Sequence, residues 1–225
     1  MATRPNPRQE RPRLSRQRVL ECAMTIADTG GLSALTMRSL AKELNVKPMA
    51  LYHYFATKDE ILDGLVDLVF ATIELPNVHG QWREEIRRRA HSARQELGRH
   101  PWAIALLESR TIQGPATLQH HETMIATLRT AGFSPRMTAH AYALIDSYVY
   151  GFAVQEAALP YPGSNEAFDK YVFAEQYPYL VELAHEHVLR PNYDFGTEFE
   201  FGLDVILDGL MRRISDTDSN SADIS

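Results

Sequence analysis

The side chains best suited to chemistry lie close together between Thr36 and Lys58: Thr36, Arg38, Lys47, Tyr52, His53, Tyr54 and Lys58, with Pro48 and Met49 among them. Cations and hydroxyls bind phosphate oxygens, imidazole and phenol groups can bond base edges, and an aromatic face can meet a thymine methyl. The stretch NVKPMALYHYFATK runs Tyr52, His53, Tyr54 and Phe55 in a row, where an amphipathic helix normally interrupts its aromatics with charge. Either the run is buried on all sides or some rings touch something outside the protein. Leu51 and Phe55, four apart, can pack inward, which leaves Lys47, Met49, Tyr52, His53 and Tyr54 to face out or sideways. In the competing reading Tyr52 fills the core with only its hydroxyl wet.

The elements that must position these groups are helices. Val19, Leu20, Ala23, Ile26 and Ala27 repeat at helical spacing from Ser15, and Gly30-Gly31 supply a stop. Thr36 can cap a second helix with Met37, Leu40, Ala41 and Leu44 on one face. Asn45 tolerates the left-handed turn that ends it, Val46 plugs the corner, and Pro48 suits the first position of a third helix, Lys47 to about Tyr54. Thr57 caps a fourth, about 58–75, whose inward stripe is Ile61, Leu62, Leu65, Leu68, Val69 and Ile73. Stops at Pro76, Pro101, Gly114-Pro115, Gly132 with Pro135, Pro160 to Gly163 and Pro191 divide the rest into helices near 81–98, 101–111, 115–131, 135–158, 176–188 and 196–214. No stretch alternates as a half-buried strand does, so the expected fold is all-α.

The chain has 225 residues and a net charge of −6, unevenly spread. Residues 1–60 hold ten Arg and Lys against six acids, and residues 61–225 hold thirteen against twenty-three. Six arginines (Arg4, Arg8, Arg11, Arg13, Arg16, Arg18) fall in the first 18 residues, so a basic front end sits on an acidic body and can attract a polyanion locally. The expected organisation is a disordered basic arm over 1–14, a DNA-binding unit over 15–60, a helical body over 61–214 and a disordered tail over 215–225, which has little to bury. The lone Cys22 reads as a buried structural thiol and fits a reducing compartment. With no signal-like segment and no 18-residue apolar run, the expectation is a soluble, cytoplasmic protein without membrane contact.

Two short helices joined by a three-residue turn and preceded by an amphipathic helix make a helix-turn-helix, whose second helix enters the major groove. The string LTMRSLAKELNVKPMALYHYFATKDEILDGL resembles the DNA-binding segment of the TetR (tetracycline repressor) family, and the likeness covers 15 to about 75. It implies a homodimer that binds operator DNA and lets go when a small molecule occupies its C-terminal domain. Carried over by position, Thr36 and Lys58 hold phosphates, Arg38 meets phosphate or base at the groove edge, and Pro48, Met49, Tyr52 and His53 approach bases. Tyr54 takes a phosphate, Lys47 is a further contact, and Leu51 and Phe55 stay structural. The basic arm can enter the adjacent minor groove.

WREEIRRRAHSARQELGRHPWAIALLESR, GPATLQHHETMIATLRTAGFSP and AYALIDSYVYGFAVQEA resemble the all-α C-terminal domain of the tetracycline-repressor branch. The departures argue against tetracycline with magnesium: Leu107 stands where the metal-binding histidine would be, and two other drug-contacting positions are Arg89 and Ala93. The expected pocket lining is Trp102, Leu106, Leu107, Arg110, Met124, Leu128, Tyr148 and Phe152, suited to a hydrophobic or aromatic effector. Helices about 135–158 and 196–214 resemble the pair that forms the family's dimer interface.

The reading is therefore a ligand-responsive regulator on double-stranded operator DNA, most naturally a repressor, without cofactor or metal. Activation stays open, because the sign depends on where the operator lies. A helical enzyme with a buried apolar pocket is the rival, opposed by the absence of a nucleophile with a base, an i,i+4 metal-ligand pair or a phosphate-cradling loop. A sequence-indifferent architectural DNA binder is opposed by the acidic body. His120-His121-Glu122 and His185-Glu186-His187 read as surface polar clusters, since adjacent helical residues point about 100 degrees apart. Arg87-Arg88-Arg89 reads as a solvated stretch paired with Glu84 and Glu85.

Overall fold

A computed structural model describes residues 13–109, 114–159 and 176–222. Its helices are α1 (Arg16–Ala34), α2 (Met37–Glu43), α3 (Pro48–Leu51), α4 (Lys58–Thr72), α5 (Trp82–Arg99), α6 (Pro101–Ser109), α7 (Pro115–Thr130), α8 (Pro135–Ala158), α9 (Pro178–Leu183), which runs into a π turn at Ala184–Val188, and α10 (Gly196–Ala222). The described residues contain no strand, as the all-α reading requires. None of the described helices is long and apolar enough to cross a bilayer.

Local chemistry sets most boundaries. Ser15, Thr36, Thr57 and Ser134 each accept a backbone N–H from the first turn of the helix they precede, so four of the helix starts are side-chain capped. Gly31, at φ +70, breaks α1 where a stop is expected, but the chain regains one more helical turn before Leu35 enters the core. Recognition helix α3 is shorter than the sequence suggests: Tyr54 N and Phe55 N both take the Leu51 carbonyl, and this tightening lets Leu51 and Phe55 be buried together. α4 ends at Thr72, whose hydroxyl turns back on the Val69 carbonyl at 2.7 Å.

One boundary needs correction. α10 continues to Ala222, so the described part of the tail read as disordered from 215 is helical. Ser215 to Ala222 contains no glycine or proline, and a helix already nucleated adds residues at small cost. Cys22 is half-buried, and burial together with the nearby Glu43 pushes its thiol up, which keeps it protonated and a packing group.

The helices form a small N-terminal layer, α1 to α3, and a larger body in which α5 packs on α8 and α7 lies across both. α4 belongs to both parts: it touches α1 on one side and α5, α6 and α7 on the other. One apolar core runs through the molecule from Val19, Leu40 and Phe55 to Ile145, Phe199 and Leu207.

Candidate functional site

The turn between α2 and α3 fixes the recognition helix. Val46 N bonds the Ala41 carbonyl at 2.9 Å and Asn45 N the Lys42 carbonyl at 3.1 Å, with Asn45 in the left-handed region at φ 54. This paired closure satisfies the last carbonyls of α2 and needs a residue that adopts positive φ at little cost, which asparagine does. Val46 then packs on the core, and Pro48 opens α3 where its missing N–H loses no bond.

Beneath α3, Leu51 and Phe55 are fully buried. Above it, Met49 is 71% and Tyr52 46% exposed, and Lys47, Pro48, His53 and Arg38 are exposed as well. An exposed methionine and tyrosine side by side on a short helix leave the alternative of a core-filling Tyr52 without support. Thr36 is exposed, but its oxygen already accepts Ser39 N in a reciprocal cap, so its one turnable donor is the hydroxyl hydrogen now on Ser39 Oγ at 3.0 Å. Lys58 is half-buried, with one ammonium donor on the Leu32 carbonyl at 3.4 Å and two others left for a phosphate.

Tyr54 departs from the expected phosphate role. Its hydroxyl donates to the Leu14 carbonyl at 2.8 Å, and its ring packs on the core. A phosphate accepts and cannot donate, so the only donor of Tyr54 is committed elsewhere. Arg16 completes this staple: its guanidinium lies 4.1 Å over the Phe55 ring and donates to the Tyr54 carbonyl. The segment leading back to the arginine-rich arm is thereby fixed beside the end of the recognition helix. Of that arm only Arg13 and Leu14 are described, and Arg13 is exposed.

The expected pocket lining does not assemble as one surface. Trp102 Nε1 donates to Asp28 Oδ1 at 2.6 Å, with His100 Nδ1 at 2.7 Å from the same oxygen, so this indole joins α6 to α1. Leu106, Met124 and Leu128 are core, and Leu107 is half-buried against it. Tyr148 stacks instead on Phe199 at a centroid distance of 5.5 Å and Phe152 on Phe195 at 4.7 Å, with Phe152 edge-on to Phe199 at 5.0 Å, and the Tyr148 hydroxyl bonds the carbonyls of Glu198 and Phe199. Gly202 permits that approach, because a Cβ there would lie 2.2 Å from the Tyr148 oxygen. Arg110 lies outside the described residues.

A buried polar cluster at the junction of α5, α7 and α8 replaces two surface readings. Arg89 and His120 are both 0% exposed. Arg89 sends Nε to His120 Nε2 at 2.8 Å, one terminal nitrogen to Asp146 Oδ1 at 2.6 Å and the other to the Tyr150 hydroxyl at 3.3 Å. Burial opposes the charge on Arg89, but Asp146 and Tyr150 outweigh it, leaving the guanidinium above its ordinary value. Burial, then Arg89, then His121 push His120 down to about 3, so it is neutral. Burial and then Asp146 push Tyr150 up to about 12, and Tyr142, which meets His121 Nδ1 through its hydroxyl, is pushed up for the same first two reasons.

Arg89 is thus not part of the solvated run, although Arg87 and Arg88 do pair with Glu84 and Glu85 at i,i+3. His120 is no surface residue, because α7 turns that face onto Phe70 and Arg89. The sequence did hold a signal for the cluster: Tyr142, Asp146 and Tyr150 recur every fourth residue on one face of α8. α4 is tied to the same region, since Asp67 Oδ1 accepts Thr117 N at 2.8 Å and the Thr117 hydroxyl at 3.0 Å, and Phe70 lies edge-on to His120 at 5.3 Å.

Comparison with known proteins places these features. Residues 19–65 match the family described as bacterial regulatory proteins, tetR family, and residues 75–214 match the tetracyclin repressor-like C-terminal domain. The chain is 34% identical over 215 residues to the HTH-type transcriptional repressor DrrR1 of Streptomyces coeruleorubidus, covering 89% of this chain and 78% of that protein. It is 30% identical over 200 residues to the class A tetracycline repressor from transposon 1721 of Escherichia coli, covering 87% and 89%. A crystal structure of the Streptomyces coelicolor TetR family protein ActR in complex with actinorhodin superposes with a TM-score of 0.74 at 29% identity, over 90% of this chain and 99% of that one. With both its reading head and its helical body matched, the chain belongs to the TetR family of bacterial transcriptional regulators.

Proposed function

We propose that this chain is a homodimeric repressor that reads a roughly palindromic operator through α3 and is released by a small hydrophobic or aromatic effector. The observation that carries the reading is the two-sided recognition helix, with Leu51 and Phe55 buried and Met49, Tyr52 and His53 presented outward. Pro48, Met49, Tyr52 and His53 meet base edges, while Thr36, Arg38, Lys47 and Lys58 bind phosphate. Tyr54 serves the fold. The reading unit is 15–60 and the sensing and dimerising body begins at 61.

Dimerisation uses α8 and α10. Between them an open apolar depression of about 390 Å³ is lined by Met137, His140, Leu144, Val205, Ile206, Gly209, Leu210 and Arg213. Phe201 (71% exposed) and Val205 (56%) stand on the same helix face. Such surface on two long helices suits an isologous four-helix contact with a second copy.

Signalling runs through α4. Asp67 and Phe70 bind it to α7, the Asp28 hydrogen bond from Trp102 binds α6 to α1, and Lys58 starts α4 next to the reading head. An effector that prefers a conformation with α4 displaced shifts the population away from the one that fits DNA. Regulatory rather than enzymatic work, in the cytoplasm, follows from the same reading. Gel retardation by purified protein at moderate salt tests it: sequence-preferring retardation of its own upstream DNA is expected, and retardation indifferent to sequence contradicts it.

A further inference from the structure

The chain concentrates its accessible sulfur on the surface proposed to read DNA. Six methionines lie among the described residues. Met124 is fully buried, and Met24, Met37 and Met137 are half-buried and packed against the core. Met211 on α10 is 41% exposed, and Met49 on α3 is 71% exposed. Cys22 is half-buried, and burial and then Glu43 push its thiol up, so it offers little thiolate. Oxidation of sulfur follows thiolate character and exposure, which leaves Met49 as the side chain an oxidant reaches first.

A thioether and a sulfoxide present opposite chemistry to a base pair. The thioether is apolar and suits a thymine methyl, whereas the sulfoxide oxygen is polar and only accepts hydrogen bonds. Acceptors outnumber donors on the major-groove edges of bases: guanine N7 and O6, adenine N7 and thymine O4 stand against cytosine N4 and adenine N6. The new oxygen therefore loses its water on DNA and is repelled by most of what it meets. Met49 follows Pro48 at the start of α3, with Leu51 and Phe55 buried beneath, so the helix cannot roll to carry it away without exposing them.

We propose that Met49 is an oxidation site through which two-electron oxidants of the peroxide class release the repressor from its operator. The proposal rests on the DNA reading described above and adds a second input to it, independent of any effector. The sulfur lone pair attacks one peroxide oxygen, an S–O bond forms and the O–O bond breaks. Sulfur loses two electrons, and the departing hydroxide takes the proton of the transferred oxygen and leaves as water. Methionine sulfoxide reductases reverse the change. DNA covers Met49 in the bound state, so oxidation acts on free protein and withdraws it from the binding equilibrium.

The test treats the full-length protein with hydrogen peroxide, maps sulfoxides by peptide mass spectrometry, and measures affinity for its upstream DNA before and after. Dithiothreitol follows oxidation in every sample, which reduces a Cys22 sulfenate or disulfide and leaves sulfoxides. Wild type should lose affinity by at least about tenfold, in step with the Met49 sulfoxide fraction and not with that of Met211, and should recover it with methionine sulfoxide reductases. Met49→Leu, referred to its own affinity before treatment, should change by less than about twofold. Saturating upstream DNA should slow oxidation of Met49 and leave that of Met211 unchanged. A loss that tracks Met211, no loss with Met49 fully oxidised, no recovery with the reductases, or an equal loss in Met49→Leu overturns the proposal. Retardation of the DNA by untreated protein reads the repressor separately: present before treatment and undiminished after it, it removes only the oxidation site, whereas its absence before treatment removes the repressor reading and this proposal with it.

Discussion

Trp102 on α6 and Asp28 on α1 share a hydrogen bond of 2.6 Å, so the indole that sequence reasoning places in a pocket wall instead couples the helical body to the reading head. His100 approaches the same carboxylate oxygen. Asp28→Ala leaves the buried indole N–H unpartnered and should lower stability by about 1–3 kcal/mol in urea unfolding. Asp28→Asn keeps an acceptor and should lie nearer to wild type; equal losses in both variants contradict the role given to the hydrogen bond.

Stability should depend on pH through His120. The unfolded imidazole titrates near its ordinary value of about 6.5, whereas in the fold it is pushed down to about 3. Below pH 6.5 the unfolded chain takes up a proton that the folded chain refuses. Stability is therefore full above about 6.5 and falls as the pH drops toward 3, by about 1.4 kcal/mol per pH unit from this residue, with His121 adding in the same direction. His120→Gln should flatten that slope in denaturation curves collected between pH 7 and 5.

Lys47 and Tyr54 separate DNA contact from scaffold. Lys47→Ala should weaken binding similarly on all sequences and reduce the slope of log affinity against log salt by about two per dimer, one for each phosphate lost. Tyr54→Phe should leave that slope unchanged and instead cost about 1 kcal/mol of stability through the lost Leu14 bond. A change in salt slope for Tyr54→Phe returns that hydroxyl to the DNA.

Val205 tests the α8 and α10 face. Val205→Asp puts a carboxylate in the proposed four-helix contact and should weaken dimerisation by at least about a hundredfold, read as a monomer in sedimentation velocity. Helical content should remain, since Val205 is exposed in the single chain. An unchanged dimer moves the interface elsewhere.

What was legible in the sequence is what depends on near neighbours. Asn45, Pro48, Thr57 and Ser134 encode turns and caps within a few residues, and the directions of Leu51 and Phe55 against Tyr52 and His53 follow from helical spacing. What was hidden depends on distant partners. Arg89 finds its acceptors 31 and 57 residues away, and Tyr54 finds Leu14 40 residues back. Their types said polar and exposed; tertiary contacts made them interior. The tail of α10 is hidden for another reason, since composition weighs what a segment can bury and not the helix that already precedes it.

In the proposed function two copies of α3 read two successive major grooves through Met49, Tyr52 and His53. Hydroxyl-radical footprinting of the upstream DNA, with wild type beside Met49→Ala and His53→Ala, tests it most directly. Two protected half-sites are expected about 34–36 Å apart, or a multiple of that, with each substitution costing about 1–3 kcal/mol and relaxing base preference within the half-sites. Diffuse protection by wild type, or half-site preferences untouched by both substitutions, would contradict it.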